Sequence, residues 1–133
     1  MAETLCNLRK YGGGKLKETV LWTNPSPTSA YATGNITIPQ AITKFDYIKL
    51  KCRATTSNST ETESIQPIAY LGADTDYTSY LMCSMNISNL GWIRHVTKGT
   101  SDSQVVIHKC YQIAGTGENT NYLIPLEIIG LKE

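Results

Sequence analysis

Little in this 133-residue chain points to a specialised class of protein. Neither sign of charge prevails: 12 Lys and Arg stand against 11 Asp and Glu, and charged residues are only 17% of the whole. A share that small excludes the composition of a disordered chain, which pairs high charge with few apolar residues. The near-zero balance excludes the surplus of cations with which a strong nucleic-acid binder displaces counterions from phosphates. No apolar run approaches the roughly 20 residues of a bilayer-spanning helix. The opening MAETLCNLRKYGGG has no apolar stretch of the signal-peptide kind, so neither membrane insertion nor export by that route is expected. Cys6, Cys52, Cys83 and Cys110 are widely spaced, and no CxxC pair announces a zinc ribbon or a redox motif. The expected state of these thiols is free and buried, as small apolar groups in a reducing compartment.

Alanine is scarce too, with 8 residues, whereas Thr, Ile and Val number 17, 13 and 4. β-branched side chains lose rotamer freedom in helices and pack well on a pleated surface, so the composition predicts an all-β protein. Eight of the aromatic residues are Tyr and one is Phe. Tyr combines a flat apolar face with a polar tip, which suits half-wet surfaces and interfaces.

Period-two alternation marks the strands. In residues 46–54, DYIKLKCRA, Ile48, Leu50, Cys52 and Ala54 share one side, and Lys49, Lys51 and Arg53 share the other. Residues 79–87 place Leu81, Cys83, Met85 and Ile87 inward, and residues 15–22 predict Leu16, Val20 and Trp22 on one side. Further strands are expected over 35–39, 64–71, 92–98, 105–113 and 122–132, with Pro67 marking an edge or bulge and Gly99 a hairpin loop. Residues 55–64 hold no apolar side chain and predict an exposed loop. Residues 1–14 predict a short arm ending in Gly12, Gly13 and Gly14. About eight strands over residues 15–133 predict one two-sheet antiparallel β-sandwich domain, jelly-roll-like in layout.

Candidate chemistry is thin. His95 and His108 fall on consecutive predicted strands, and with a cysteine they could hold a metal, but no ligand spacing accompanies them. Cys110 and His108 share a strand face without a visible orienting acid or oxyanion hole, which leaves a small hydrolase as an outlying reading. Asp74 and Asp76 resemble a fragment of a calcium loop whose other ligands are missing, and Glu61 and Glu63 sit in a polar stretch. No cofactor, metal or catalytic residue is therefore expected. The Lys49, Lys51 and Arg53 stripe reads as a solvated face that discourages edge pairing rather than a nucleic-acid surface. Sequons at Asn35, Asn58 and Asn86 would matter only in a eukaryotic secreted chain. What remains is aromatic surface. Tyr70, Tyr77 and Tyr80 cluster near one turn, and with Trp92 they are the candidate ligand-binding residues. Flat rings beside Asn, Asp and Thr suit saccharide stacking and protein interfaces alike.

Two stretches carry a resemblance. LWTNPSPTSAYATGNITI at 21–38 and NTNYLIPLEIIGLK at 119–132 resemble segments of small tail-associated structural and receptor-binding proteins of bacteriophages and prophages of Gram-positive gut bacteria. The shared patterns are an opening LW-x-N-P-x-P and a closing IP-x-x-I-x-G, with FDYIKLKCR and GWIRHVTK between them. The resemblance extends over residues 15–133 and implies a non-enzymatic virion protein of the tail fibre or tail tip. It implies a part in host attachment, with a homotrimer, other tail proteins and a host cell-surface saccharide as partners. The Gly-rich arm would dock to a neighbouring tail component. Synthesis would be in the bacterial cytoplasm, followed by incorporation into the tail. The alternative is a free-standing bacterial carbohydrate-binding, lectin-like module.

Overall fold

The structure, a computed structural model, describes residues 15–73 and 79–133. The predicted arm, Cys6, Asp74, Asp76 and Tyr77 lie outside the described residues. Among the described residues, nine strands form two antiparallel sheets, a β-sandwich. They are β1 (Lys17–Thr23), β2 (Gly34–Thr37), β3 (Tyr47–Thr55), β4 (Glu61–Pro67) and β5 (Leu81–Ile87). The remainder are β6 (Leu90–Lys98), β7 (Gln104–Ile107), β8 (Tyr111–Gln112) and β9 (Tyr122–Lys132). One sheet runs β1-β9-β3-β4, the other β2-β7-β6-β5, and β8 pairs with β6. The jelly-roll layout is the part of the expectation the strand orders do not establish. β3–β4 and β5–β6–β7 turn back within a sheet, where paired Greek keys would pass the chain between sheets more often.

The alternation predicted for β3 and β5 holds. Ile48, Leu50, Cys52 and Ala54 from one sheet, and Leu81 and Cys83 from the other, are all buried. Together with Val96, Val105, Ile107, Leu123 and Ile128 they fill the space between the layers, apart from Ala54, which sits near the rim. Cys52, Cys83 and Cys110 are buried free thiols. Phe45, the only Phe, lies against β9 where Gly130 offers no side chain; a Cβ there would stand 2.6 Å from the ring.

Four expectations need correction. In β1 the register slips between Val20 and Trp22, a bulge that turns Leu21 into the core and leaves Val20 50% exposed. An extra residue on one strand breaks period two, so simple alternation assigned the wrong side chain. The polar run 55–64 is loop only in its first part, because Glu61–Ser64 already pair with β3 in the edge strand β4. Its carboxylates explain this. On the outer face, Lys49 Nζ meets Glu18 at 2.9 Å and Glu63 at 3.8 Å, and Lys51 Nζ meets Glu61 and Glu127 at 3.6 Å each. The lysine stripe is thus neutralised by three neighbouring strands, and Lys49 is buried rather than solvated. Finally, the run 105–113 is broken into β7 and β8 around His108–Cys110. The carbonyl of His108 there accepts from Arg94 Nη1 at 2.7 Å.

Arg94 is the centre of the fold's polar interior. It is fully buried, and all five guanidinium N–H donors find backbone carbonyls. Nε donates to Leu123 at 2.7 Å, Nη1 to Ala32 and His108 at 3.0 and 2.7 Å, and Nη2 to Tyr31 and Tyr122 at 2.9 and 3.2 Å. A buried cation needs such saturation, since any donor left bare forfeits its hydration without return. Burial lowers its pKa, opposed by Cys110, Cys52 and Tyr31.

Candidate ligand-binding cleft

One end of the sandwich carries an open cleft of about 710 Å³. Three pieces of chain build it: the end of β3 and its turn into β4, the β5–β6 hairpin, and the start of β9. The lining is Ala54, Thr55, Thr56, Ser57, Asn58, Thr60, Met85–Ser88, Asn121 and Tyr122, with no charged residue among them. Hydroxyls and amides dominate, with Met85, Ile87 and the Tyr122 ring as apolar surface.

The walls are held from within. In the β3–β4 turn, Thr55 Oγ1 accepts from the N–H groups of Asn58 at 2.9 Å and Ser57 at 3.2 Å, and Asn58 Oδ1 accepts from Thr60 N at 3.0 Å. Arg53, on the outer face, donates from Nε to the Thr55 carbonyl at 2.8 Å. The β5–β6 hairpin turns on Ser88 and Asn89, whose φ values of 54° and 67° define the left-handed pair of a two-residue hairpin turn. The third wall is set by Arg94, which holds the carbonyls of both Tyr122 and Leu123. Leu123 has φ 46°, a conformation costly for a bulky residue and sustained only where the surroundings enforce it. Trp92 completes the support: its ring meets Tyr122 edge-on at 5.0 Å and 82°, and its Nε1 donates to the Ile87 carbonyl at 3.3 Å.

Of the four ligand-binding candidates, the three described ones, Tyr70, Tyr80 and Trp92, do not line this cleft. Tyr70 lies in a 3-10 turn after β4 and is 66% exposed. Tyr80 is half-buried with its ring 4.8 Å from His95. Trp92 is 7% exposed, so it offers no free face for stacking and instead backs Tyr122. Tyr77 lies outside the described residues. The residues the cleft brings together are Asn58, Asn86, Asn121 and Tyr122; their sequence signal was three asparagine-bearing turns, TTSNST, NISN and ENTNY, each ending or opening a strand.

The histidine pair expected from consecutive strands is real. His95 and His108 stack at 4.3 Å and 19°, and Thr97 Oγ1 lies 2.9 Å from His108 Nε2. Among the described residues no three His, Cys, Asp or Glu side chains group as metal ligands. Burial pushes the Cys110 thiol up to about 11 and the Cys52 thiol well above its usual value. A thiolate nucleophile needs the opposite environment.

No helix among the described residues is long and apolar enough to cross a membrane. No protein-family model matches the chain, and no curated protein matches it.

Proposed function

We propose that this protein is a non-enzymatic domain of a bacteriophage or prophage tail, at the fibre or tip, that attaches to the host by binding a cell-surface saccharide in the end cleft. The tail assignment rests on the LW-x-N-P-x-P and IP-x-x-I-x-G resemblance. The binding role rests on one observation: an open cleft lined by Asn, Ser and Thr around a braced tyrosine, without a charged side chain. Sugar hydroxyls are met by amide and hydroxyl groups, and the apolar face of a pyranose by an aromatic ring. The absence of charge from the lining suits an uncharged saccharide over an acidic one, since a carboxylated sugar would lose hydration with no cation to receive it. The raised thiols supply further support for a role without nucleophilic catalysis.

A glycan array probed with the full chain, followed by titration with the best neutral oligosaccharide, tests the reading. Tyr122→Ala and Asn86→Ala should each weaken binding by about tenfold, the loss of one stacking or hydrogen-bonding partner. Equal binding by wild type and both variants refutes the cleft. Peptides of the chain in purified virions, identified by mass spectrometry, test the tail assignment separately.

A further inference from the structure

The polar groups of the end cleft are not equally available to a ligand. Asn58 Oδ1 is occupied by the Thr60 N–H at 3.0 Å. That bond fixes the flip of the amide, so Asn58 meets a ligand through Nδ2 alone, as a donor. Its turn is stitched to the neighbouring wall, where Thr56 N donates to the Asn121 carbonyl at 3.1 Å. The side-chain amide of Asn121 has no partner among the described residues, so it offers a donor and an acceptor together. Both asparagines are exposed.

The apolar surface comes in two pieces. One is the Tyr122 ring; the other is Met85 and Ile87, half-buried at the end of β5. A plain hexose has an apolar ring face to set against the tyrosine and hydroxyls elsewhere, which leaves the aliphatic piece unmatched.

We infer that the cleft takes an N-acetylhexosamine unit, an inference that rests on the saccharide reading above. An acetamido group carries a carbonyl acceptor, an N–H donor and a methyl on one planar unit. The carbonyl answers Asn58 Nδ2, the N–H answers the Asn121 amide oxygen, and the methyl answers Met85 and Ile87. The pyranose face is left for Tyr122. The parent amino sugar would bring a cation into a lining with no carboxylate to receive it. A 6-deoxyhexose supplies a methyl but gives Asn58 Nδ2 no carbonyl to meet.

The test is NMR titration of the full chain with N-acetylglucosamine and N-acetylgalactosamine, set against glucose, galactose, rhamnose and protonated glucosamine. Each N-acetylated sugar should bind about tenfold tighter than its parent hexose. Its acetyl methyl should receive the strongest saturation transfer from the protein. Asn58→Asp keeps Oδ1, and with it the Thr60 bond, but exchanges the donor for a negative acceptor. It should lose about tenfold on N-acetylglucosamine and gain about tenfold on protonated glucosamine. A merely structural role for Asn58 would not produce that reversal. Ile87→Thr keeps a branched strand residue and should narrow the N-acetyl preference to about threefold. Parent hexoses or rhamnose bound as tightly as the N-acetylated sugars overturn this inference and leave the saccharide reading standing. So does an Asn58→Asp variant with the wild-type order of sugars. Silence in every titration and on the glycan array overturns the saccharide reading and this inference with it.

Discussion

Replacing Arg94 by Lys keeps the positive charge and most of the apolar stem, and removes only the shape of the donor group. Arg94 donates five hydrogen bonds to five carbonyls on β9, the β7–β8 connection and the segment before β2. An ammonium has three donors, so at least two of these carbonyls lose their partner. A hydrogen bond to a charged group contributes about 1.5–3 kcal/mol, which puts the loss at about 3–6 kcal/mol. A domain of this length is expected to be stable by about 7–20 kcal/mol, so the variant should fold while standing much closer to its limit. With a urea slope of about 2 kcal/mol/M, the unfolding midpoint should fall by about 2 M. Trp22 and Trp92 supply the fluorescence signal. Because Arg94 also fixes the Tyr122 and Leu123 carbonyls, the saccharide binding proposed above should weaken in the folded variant as well. A midpoint within about 0.3 M of wild type would refute the claim that the geometry of five donors, rather than charge or volume, holds these segments together.

Other perturbations address separate parts of the structure. Gly130→Ala places a Cβ 2.6 Å from the Phe45 ring and should cost about 1–3 kcal/mol in thermal or urea unfolding; Phe45→Leu in the same chain should recover part of it. Asn24→Ala removes the donor to the Pro125 carbonyl, 2.8 Å away in a buried setting, and should cost about 1–2 kcal/mol by the same measurement. Cys110 should resist a thiol reagent at pH 8 in the folded protein and react once urea unfolds it. Its pKa of about 11 lies above the unfolded value, so the folded state holds the proton longer. The associated stability is therefore intact below about pH 8.5 and lost as pH climbs toward 11, visible as a falling unfolding midpoint. Asp46 behaves in the opposite sense: the Glu133 N–H and Lys132 hold its carboxyl below the usual range. The C-terminal latch should thus be present above about pH 4 and lost below it, and Asp46→Asn should remove that acid dependence.

Much of the fold was legible because period two is a direct consequence of a pleated strand with one buried face. β3 shows it best, where Ile48, Leu50, Cys52 and Ala54 occupy the inside as the alternation required. The failures have local causes. Leu21 displaced Val20 because a bulge adds a residue without leaving a mark in the apolar pattern. Glu61–Ser64 looked like loop because an edge strand that meets lysines across the sheet needs no apolar residue on that face. Arg94 was invisible as an organiser: in sequence it is one polar residue in WIRHVTK, and its partners are carbonyls, which every residue carries. The cleft was illegible for a related reason. Its asparagines lie in three turns remote in sequence, and only the sheet order brings them to one end.

The two motifs behind the resemblance also make physical sense as a single device. Leu21 and Asn24 belong to the first motif, Pro125, Ile128 and Gly130 to the second. Trp22 pairs with Ile128 at the bulge that sends Leu21 inward, so a slipped register on β1 needs a matching partner on β9. One step further, Pro25 ends β1 while β9 continues toward its Tyr122 start. Asn24 bridges that gap twice, through its own N–H to the Leu126 carbonyl at 2.8 Å and through Nδ2 to Pro125 at 2.8 Å. Its Oδ1 then accepts from Ser26 N at 2.9 Å and turns the chain away. Pro125 has no N–H to give the ladder, and its carbonyl is satisfied by the asparagine side chain instead of a backbone donor. Gly130, at the far end of the strand, clears the ground for Phe45. Leu21, Trp22 and Asn24 of the first motif thus meet Pro125, Leu126 and Ile128 of the second across one β1–β9 border, and Gly130 extends the same strand to the Phe45 ring.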